Sequence, residues 1–317
     1  MLALGGVGWG QPLSSASVTY LSVAPLSHGR VAMVAIDGTP KLVVLILAGI
    51  FAICPLAAAR NNSQLEPDVV AYVCAQEATP SFGPDGHLYS TFLIARYAGI
   101  DGANAYTLAY YSQYPDLDST FKATSLFIGY PNWRSDVREV LHSLHGSERE
   151  AIDARREALK NFIKDSLSQD PPNYWQAGLM IHAFADAYSH TKKPLGDPDQ
   201  KAYGSVIGHL HHWKKPDQIA RQEVFPKYRE FAEQLYDILE LKGAGDKEQL
   251  TEFLNTIEEL ACENGCSGSD VERVEAAIMA ASYTTGSFSE SWYECIEERA
   301  RPLRKEEVQG VLDRVKE

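Results

Sequence analysis

From His87 onward the apolar positions of this chain recur at helical spacing, and they seldom alternate as a half-buried strand requires. The run HLYSTFLIARYA predicts a helix over 87–98 with Gly99 as its stop, and Asp101 then caps a second short helix over GANAYTLAYYSQY. Upstream, LEPDVVAYVCAQEA predicts a helix within 62–78, with Pro67 near its start. The stretch 116–133, punctuated by Gly129 and Pro131, reads as irregular. A long charged helix is predicted over 147–167, where Ser147 and Glu150 stand at capping-box spacing. Pro171 and Pro172 introduce an apolar helix over 173–190, and a loop rich in Gly, Pro and Asp follows at 194–199. Amphipathic helices are predicted over 226–241, 247–263 and 269–283, and a polar one over 305–316. The expected fold is all-α, a multi-helix bundle without internal repeats.

The first sixty residues depart from that pattern. Residues 1–32 carry no apolar period and are rich in Gly, Ser and Pro, as expected of a disordered or non-native extension upstream of a start at Met33. In 33–59, Lys41 precedes a continuous apolar run from Leu42 to Leu56, and Ala57, Ala58 and Ala59 then offer a small-residue cleavage site. That is the layout of a secretory signal peptide, or of a signal anchor if it is retained. The run is shorter than the ~20 residues of a spanning helix. Residues 60–317 are therefore expected to be an exported all-helical domain, secreted or periplasmic, with 240–317 as a helical C-terminal extension.

Composition narrows the functional classes. With 45% hydrophobic and 22% charged residues the chain has the material for a core. A formal net charge of −13 argues against stable binding to a nucleic-acid backbone, but it leaves open a phosphoester reached through metal ions. Beyond the leader stand Cys74, Cys262, Cys266 and Cys295, an even count compatible with two disulfides of unreadable pairing. Cys262 and Cys266, with ENG between them, mark a helix end rather than a zinc knuckle.

The densest chemistry lies in LMIHAFADAYSHTKKP, residues 179–194. His182, Asp186 and His190 fall at i, i+4 and i+8, so all three project from one helix face, with a drift of only ~40° per step. Polar side chains on an apolar helix need partners. A divalent metal satisfies two imidazoles and a carboxylate together, and a hydrogen-bonded core is the alternative. Further histidines (His87, His142, His145, His209, His211 and His212) and the carboxylates Asp116, Asp118 and Asp217 supply ligands for two or three ions. Taken singly, His87 reads first as a cap or surface residue and Asp116 as a turn residue, and of the consecutive His211 and His212 at most one faces a metal, either being open to simple solvation.

The run IHAFADAYSHTKKP resembles the histidine/aspartate helix of the zinc-dependent phospholipase C family, which includes single-strand nucleases of the same all-helical fold. GHLYSTFLIARYAGIDGANAYTLAYYSQYPDLD and GHLHHWKKPD fit the same pattern, in the same order. The resemblance implies that His182 and Asp186 bind a first zinc, with Asp186 bridging, and that Asp116 is a further ligand. His142 is then the intervening histidine, with His145 its rival. His190 and His209 hold a second zinc, Asp217 stands where the family has a glutamate, and His87 serves a third. Asp116, or Asp118, would orient the nucleophilic water. Phe184, Tyr188, Tyr89 and Trp213 are candidates for an apolar rim or for the core. Two departures stand out: no Trp follows the expected cleavage site, and Trp213 occupies the position four residues after His209. The implied activity is zinc-dependent phosphoester hydrolysis, with a phospholipid as one substrate class and contact with a membrane surface compatible with it. The alternatives are a nuclease and a metal-stabilised, non-catalytic binding protein of the same fold.

Overall fold

The computed structural model describes residues 66–67, 86–124, 131–204, 215–240, 243–263 and 265–316. These belong to one compact unit, Asn61–Glu317. The extension at 1–32, the leader at 33–59, nearly all of the helix expected within 62–78, and His209 with its neighbours lie outside the described residues.

Among the described residues the chain is all-α. Its helices are α1 (Gly86–Tyr97), α2 (Gly102–Leu117), α3 (Pro131–Asp136), α4 (Arg149–Leu167) and α5 (Tyr174–Ser189), followed by α6 (Phe225–Leu239), α7 (Lys247–Leu260), α8 (Gly268–Thr284), α9 (Glu290–Arg299) and α10 (Lys305–Lys316). One small antiparallel ladder interrupts them, with β1 (Thr191–Lys192) pairing β2 (Lys201–Ala202) and Thr191 opposite Ala202. No helix among the described residues is long and apolar enough to cross a membrane.

Local chemistry sets most of these boundaries. The Asp101 carboxylate accepts the Asn104 backbone N–H at 3.1 Å and opens α2. Gly99 closes α1 at φ +83°, and a Cβ there would lie 2.9 Å from the Ala244 carbonyl. Helix α2 runs through Pro115 to Leu117, past the expected end at Tyr114. Tyr114 and Pro115 are both buried, and the turn beyond is secured by Asp118, which accepts from the Tyr114 hydroxyl at 3.0 Å and from the Thr120 N–H at 2.7 Å.

Two expectations need correction, and one helix was not anticipated. The Ser147/Glu150 capping box does not form: Glu148 is the N-cap of α4 and makes no side-chain cap bond, while Ser147 turns back toward His145. A true capping box opens α8, where Ser267 and Asp270 bond reciprocally. The stretch read as irregular already turns helical at Pro131, and α3 continues as a π-turn over Val137–Leu141. Helix α9 was hidden by its charge, since only Tyr293 and Ile296 supply buried apolar side chains in ESWYECIEER. Cys262 and Cys266 are joined to each other, and Cys295 is also disulfide-bonded.

Helix α5 is the axis of the bundle. It is apolar nearly all round, as a fully enclosed helix must be, and α2, α4 and α6 pack against it. Gly178 permits the closest of these approaches, because a Cβ there would lie 2.8 Å from both the Leu108 carbonyl and the Tyr111 Cβ. At the far end of the chain, Val308, Val311, Leu312 and Val315 give the polar-looking α10 a buried stripe. Glu307 caps its start by accepting the Arg304 backbone N–H at 2.9 Å.

Two outcomes follow from this packing. Gly178→Ala wedges α5 away from α2 and should lower unfolding free energy by about 1–3 kcal/mol in urea titrations; wild-type stability would contradict the close approach. Hydrogen bonds from Arg304 and Arg301, in that order, hold the Glu307 carboxyl well below its ordinary 4.5. A depressed carboxyl contributes stability above its unfolded pKa and loses it as pH falls through the folded one. Stability of the wild type should therefore decline below about pH 4.5 more steeply than that of Glu307→Gln, as followed by thermal melts across pH.

Candidate metal centre

Two polar side chains of α5, His182 and Asp186, are almost wholly enclosed, at 0% and 3% exposure. His182 turns toward α2, where its Nδ1 donates to the Ser112 carbonyl at 2.8 Å. The π-turn after α3 delivers His142 to the same place. Its wider ring is closed by the His142 N–H on the Val137 carbonyl at 3.0 Å. Ser143 then takes a left-handed backbone, φ 51°, and its hydroxyl bonds the Ala183 carbonyl of α5 at 2.8 Å. A non-glycine residue in that region is held there by its surroundings, here by that bond to the ligand helix.

Hydrogen bonding fixes the tautomers. A backbone carbonyl only accepts, so each ring nitrogen facing one must carry a proton. His182 spends its Nδ1–H on Ser112, and His142 spends its Nε2–H on the Phe121 carbonyl at 2.8 Å. In a neutral ring the remaining nitrogen carries a lone pair, and these two, His182 Nε2 and His142 Nδ1, face each other at 3.0 Å. Both also face Asp186 Oδ2, at 3.3 Å and 3.2 Å. Three acceptors thus converge on one point. A single proton can bridge only one edge of this triangle, whereas a cation satisfies all three atoms. Tetrahedral zinc with bonds of ~2.0–2.1 Å holds its ligand atoms about 3.3 Å apart, close to the edges observed. The donor set and its carbonyl-anchored imidazoles fit a divalent ion.

The remaining ligand candidates form the border of this centre. His87, at the start of α1, brings Nε2 to 3.4 Å from Asp186 Oδ1, and its ring lies 4.3 Å from that of His182. Asp116 is exposed, and its carboxylate falls within 4.8 Å of ligand atoms of His87 and His182, so that these three make an overlapping group that shares His182 with the triangle. His190, at the end of α5, donates Nδ1 to the His142 carbonyl at 2.8 Å and turns Nε2 to Asp217 Oδ1 at 3.3 Å. Asp217, in a short 3₁₀ turn over Lys215–Asp217, is 43% exposed at its side chain, whereas the His190 side chain it meets is 8% exposed.

The charges respond to this crowding. Burial would raise the Asp186 carboxyl, but the imidazoles packed around it, His190 and His182 first, outweigh burial and hold the group well below its usual range. Burial pushes His182 down toward the neutral ring that a ligand needs. For His190 burial acts downward, yet Asp186 and Asp217 overcome it and push the imidazole up to about 10. His87 is raised in the same way by Asp186 and Asp116, against burial. Any ion drawn to His190 must therefore displace a proton, which makes such binding pH-dependent.

Other candidates fall elsewhere. His145 is outside the cluster: its Nδ1 accepts from Ser147, and burial followed by Arg155 brings it down to about 4. The Asp118 carboxylate is occupied in closing the turn after α2. Phe184 and Tyr188 pack against Phe231, and Tyr89 against Phe288, so these three serve the core. Phe184 and Tyr188 also line a cavity of about 420 Å³ between α4, α5 and α6, on the side of α5 away from the histidines. Trp213, His209, His211 and His212 lie outside the described residues. Sequence reasoning missed the three carbonyls of Ser112, Phe121 and His142, because main-chain acceptors leave no residue signature. No protein-family model matches this chain, and no curated protein or solved structure matches it either.

A bound ion stabilises only the folded state. Zinc at about 1,000 times its Kd should raise unfolding free energy by roughly 4 kcal/mol over chelator-treated protein. Asp186→Asn, which removes the anionic corner of the triangle, should abolish that difference. An equal zinc-induced shift of melting temperature in this variant would contradict the ligand assignment.

Proposed function

We propose that this protein is a zinc-dependent phosphoester hydrolase of the phospholipase C type, exported and acting on a phospholipid or related phosphodiester. The observation that carries the reading is the triangle of His142 Nδ1, His182 Nε2 and Asp186 Oδ2, with edges of 3.0–3.3 Å. Around it stand His87, Asp116, His190 and Asp217, in the chain order that the resemblance implies, and together they provide for more than one ion. Zinc held there would polarise a phosphoryl oxygen and acidify water near pH 7.

The residues of the chain have separable roles in this reading. His142 and His182, locked by backbone carbonyls, present their inner ring nitrogens without reorganisation. Asp186 supplies negative charge to the enclosed floor, and its Oδ1 faces His87 on the outer side. Asp116, on the exposed border, is placed to accept a proton from incoming water and to orient it. His190 and Asp217 form a second pole, where a leaving oxygen can be met by a proton from His190 or by a further ion. A metal-stabilised binding protein is the second reading, favoured by the near-complete burial of the triangle.

One experiment separates these. Metal analysis of protein purified without chelator should find at least one zinc per chain, and a chromogenic phosphocholine ester should be hydrolysed. His182→Ala should lose both metal and turnover, whereas Asp116→Asn should keep the metal of the triangle and lose at least about 100-fold in kcat. Zinc without turnover would select the binding protein, and protein without zinc would defeat the reading.

A further inference from the structure

The carbonyls at the end of α5 have no partners within the helix and carry the negative end of its dipole. Two buried cations from different helices meet the main chain here, one at the last turn of α5 and one just beyond it in β1. Arg156 of α4 donates to the Ala187 carbonyl from both Nε, at 3.1 Å, and Nη2, at 3.0 Å, with its guanidinium 4.1 Å over the Tyr188 ring. Lys227 of α6 is 5% exposed and donates Nζ to the Thr191 carbonyl at 2.6 Å. The Thr191 hydroxyl bonds the Tyr188 carbonyl at 2.9 Å and accepts from Gln200 Nε2 at 3.0 Å. His190 thus lies in a stretch of backbone pinned on both sides, at residues 187, 188 and 191.

An enclosed ammonium costs several kcal/mol of desolvation, and an apolar residue of equal size often serves a core as well or better. A lysine spent on one carbonyl therefore calls for a reason beyond packing. The carbonyl it holds is that of the residue next to His190. We infer that Lys227, together with Arg156, is a positioning residue: the pair fixes the backbone on either side of His190 so that its imidazole stays aimed between Asp186 and Asp217. Neither cation touches the ligand atoms. They act through main chain alone, and they make α4 and α6 structural parts of a centre whose ligands come from other elements. The inference rests on the metal reading above for its functional meaning, while its geometric content holds without an ion.

The test uses cobalt(II) as a spectroscopic substitute for zinc, with the full chain and its Lys227→Met variant, which keeps the volume and removes the charge. Circular dichroism confirms the fold of each. Lys227→Met should bind cobalt roughly tenfold more weakly, with a changed visible absorption envelope. Wild-type affinity together with a wild-type spectrum would overturn the inference. If the wild type itself binds no cobalt, the metal reading fails separately, and the His190 ring ¹⁵N shifts of the metal-free protein decide: a change in Lys227→Met supports positioning, and identical shifts refute it. Should Lys227→Met not fold, Lys227→Gln, which retains an N–H donor without the charge, is judged by the same criteria.

Discussion

Everything around α5 answers to one buried negative charge. Asp186 is enclosed by protein and ringed by His87, His142, His182 and His190. A carboxylate cannot remain ionised in such a place without compensation, and the compensation comes from four imidazoles on three segments of the chain. Each of those segments needs its own local device: a helix start for His87, a π-turn and a left-handed serine for His142, and the helix that carries Asp186 for the other two. The centre is therefore a knot that ties α1, the turn after α3 and α5 together.

The same helix serves two interiors. One side carries the imidazoles, and the other carries Phe184 and Tyr188 into an aromatic cluster with Phe231. An apolar helix with a polar strip is usually amphipathic toward solvent; here both faces are buried and the strip is turned inward. Gly178 makes this arrangement possible by letting α2 come close enough for Ser112 to receive His182.

Much of this was legible from the chain. Helical periodicity identified most helices from His87 onward, and the four-residue spacing of His182, Asp186 and His190 gave their shared face. Where reading failed, the reasons are physical. The His142 turn depends on a π-bulge and a positive φ at Ser143, neither of which has a residue pattern in VREVLHSLHG. Both the backbone N–H and the hydroxyl of Ser147 turn to His145 instead of capping α4. Helix α9 shows too few apolar side chains for its period to stand out, and α10 reveals its valine stripe only once a partner surface exists. Lys227 looks like an ordinary surface lysine in FPKYREF until α6 is docked.

The three carbonyls that orient the imidazoles have a consequence for how such a centre varies and how it is detected. Ser112, Phe121 and His142 each contribute a main-chain oxygen, so the side chains of the first two are irrelevant to the ring they hold. Those positions can drift in sequence while the orientation of the ligands stays constant. A side-chain scan would register them only as packing sites. Their part in the centre would surface by backbone chemistry, such as an amide-to-ester replacement that weakens one carbonyl as an acceptor, and the outer scaffold of this site is in that sense written in conformation rather than in residue identity.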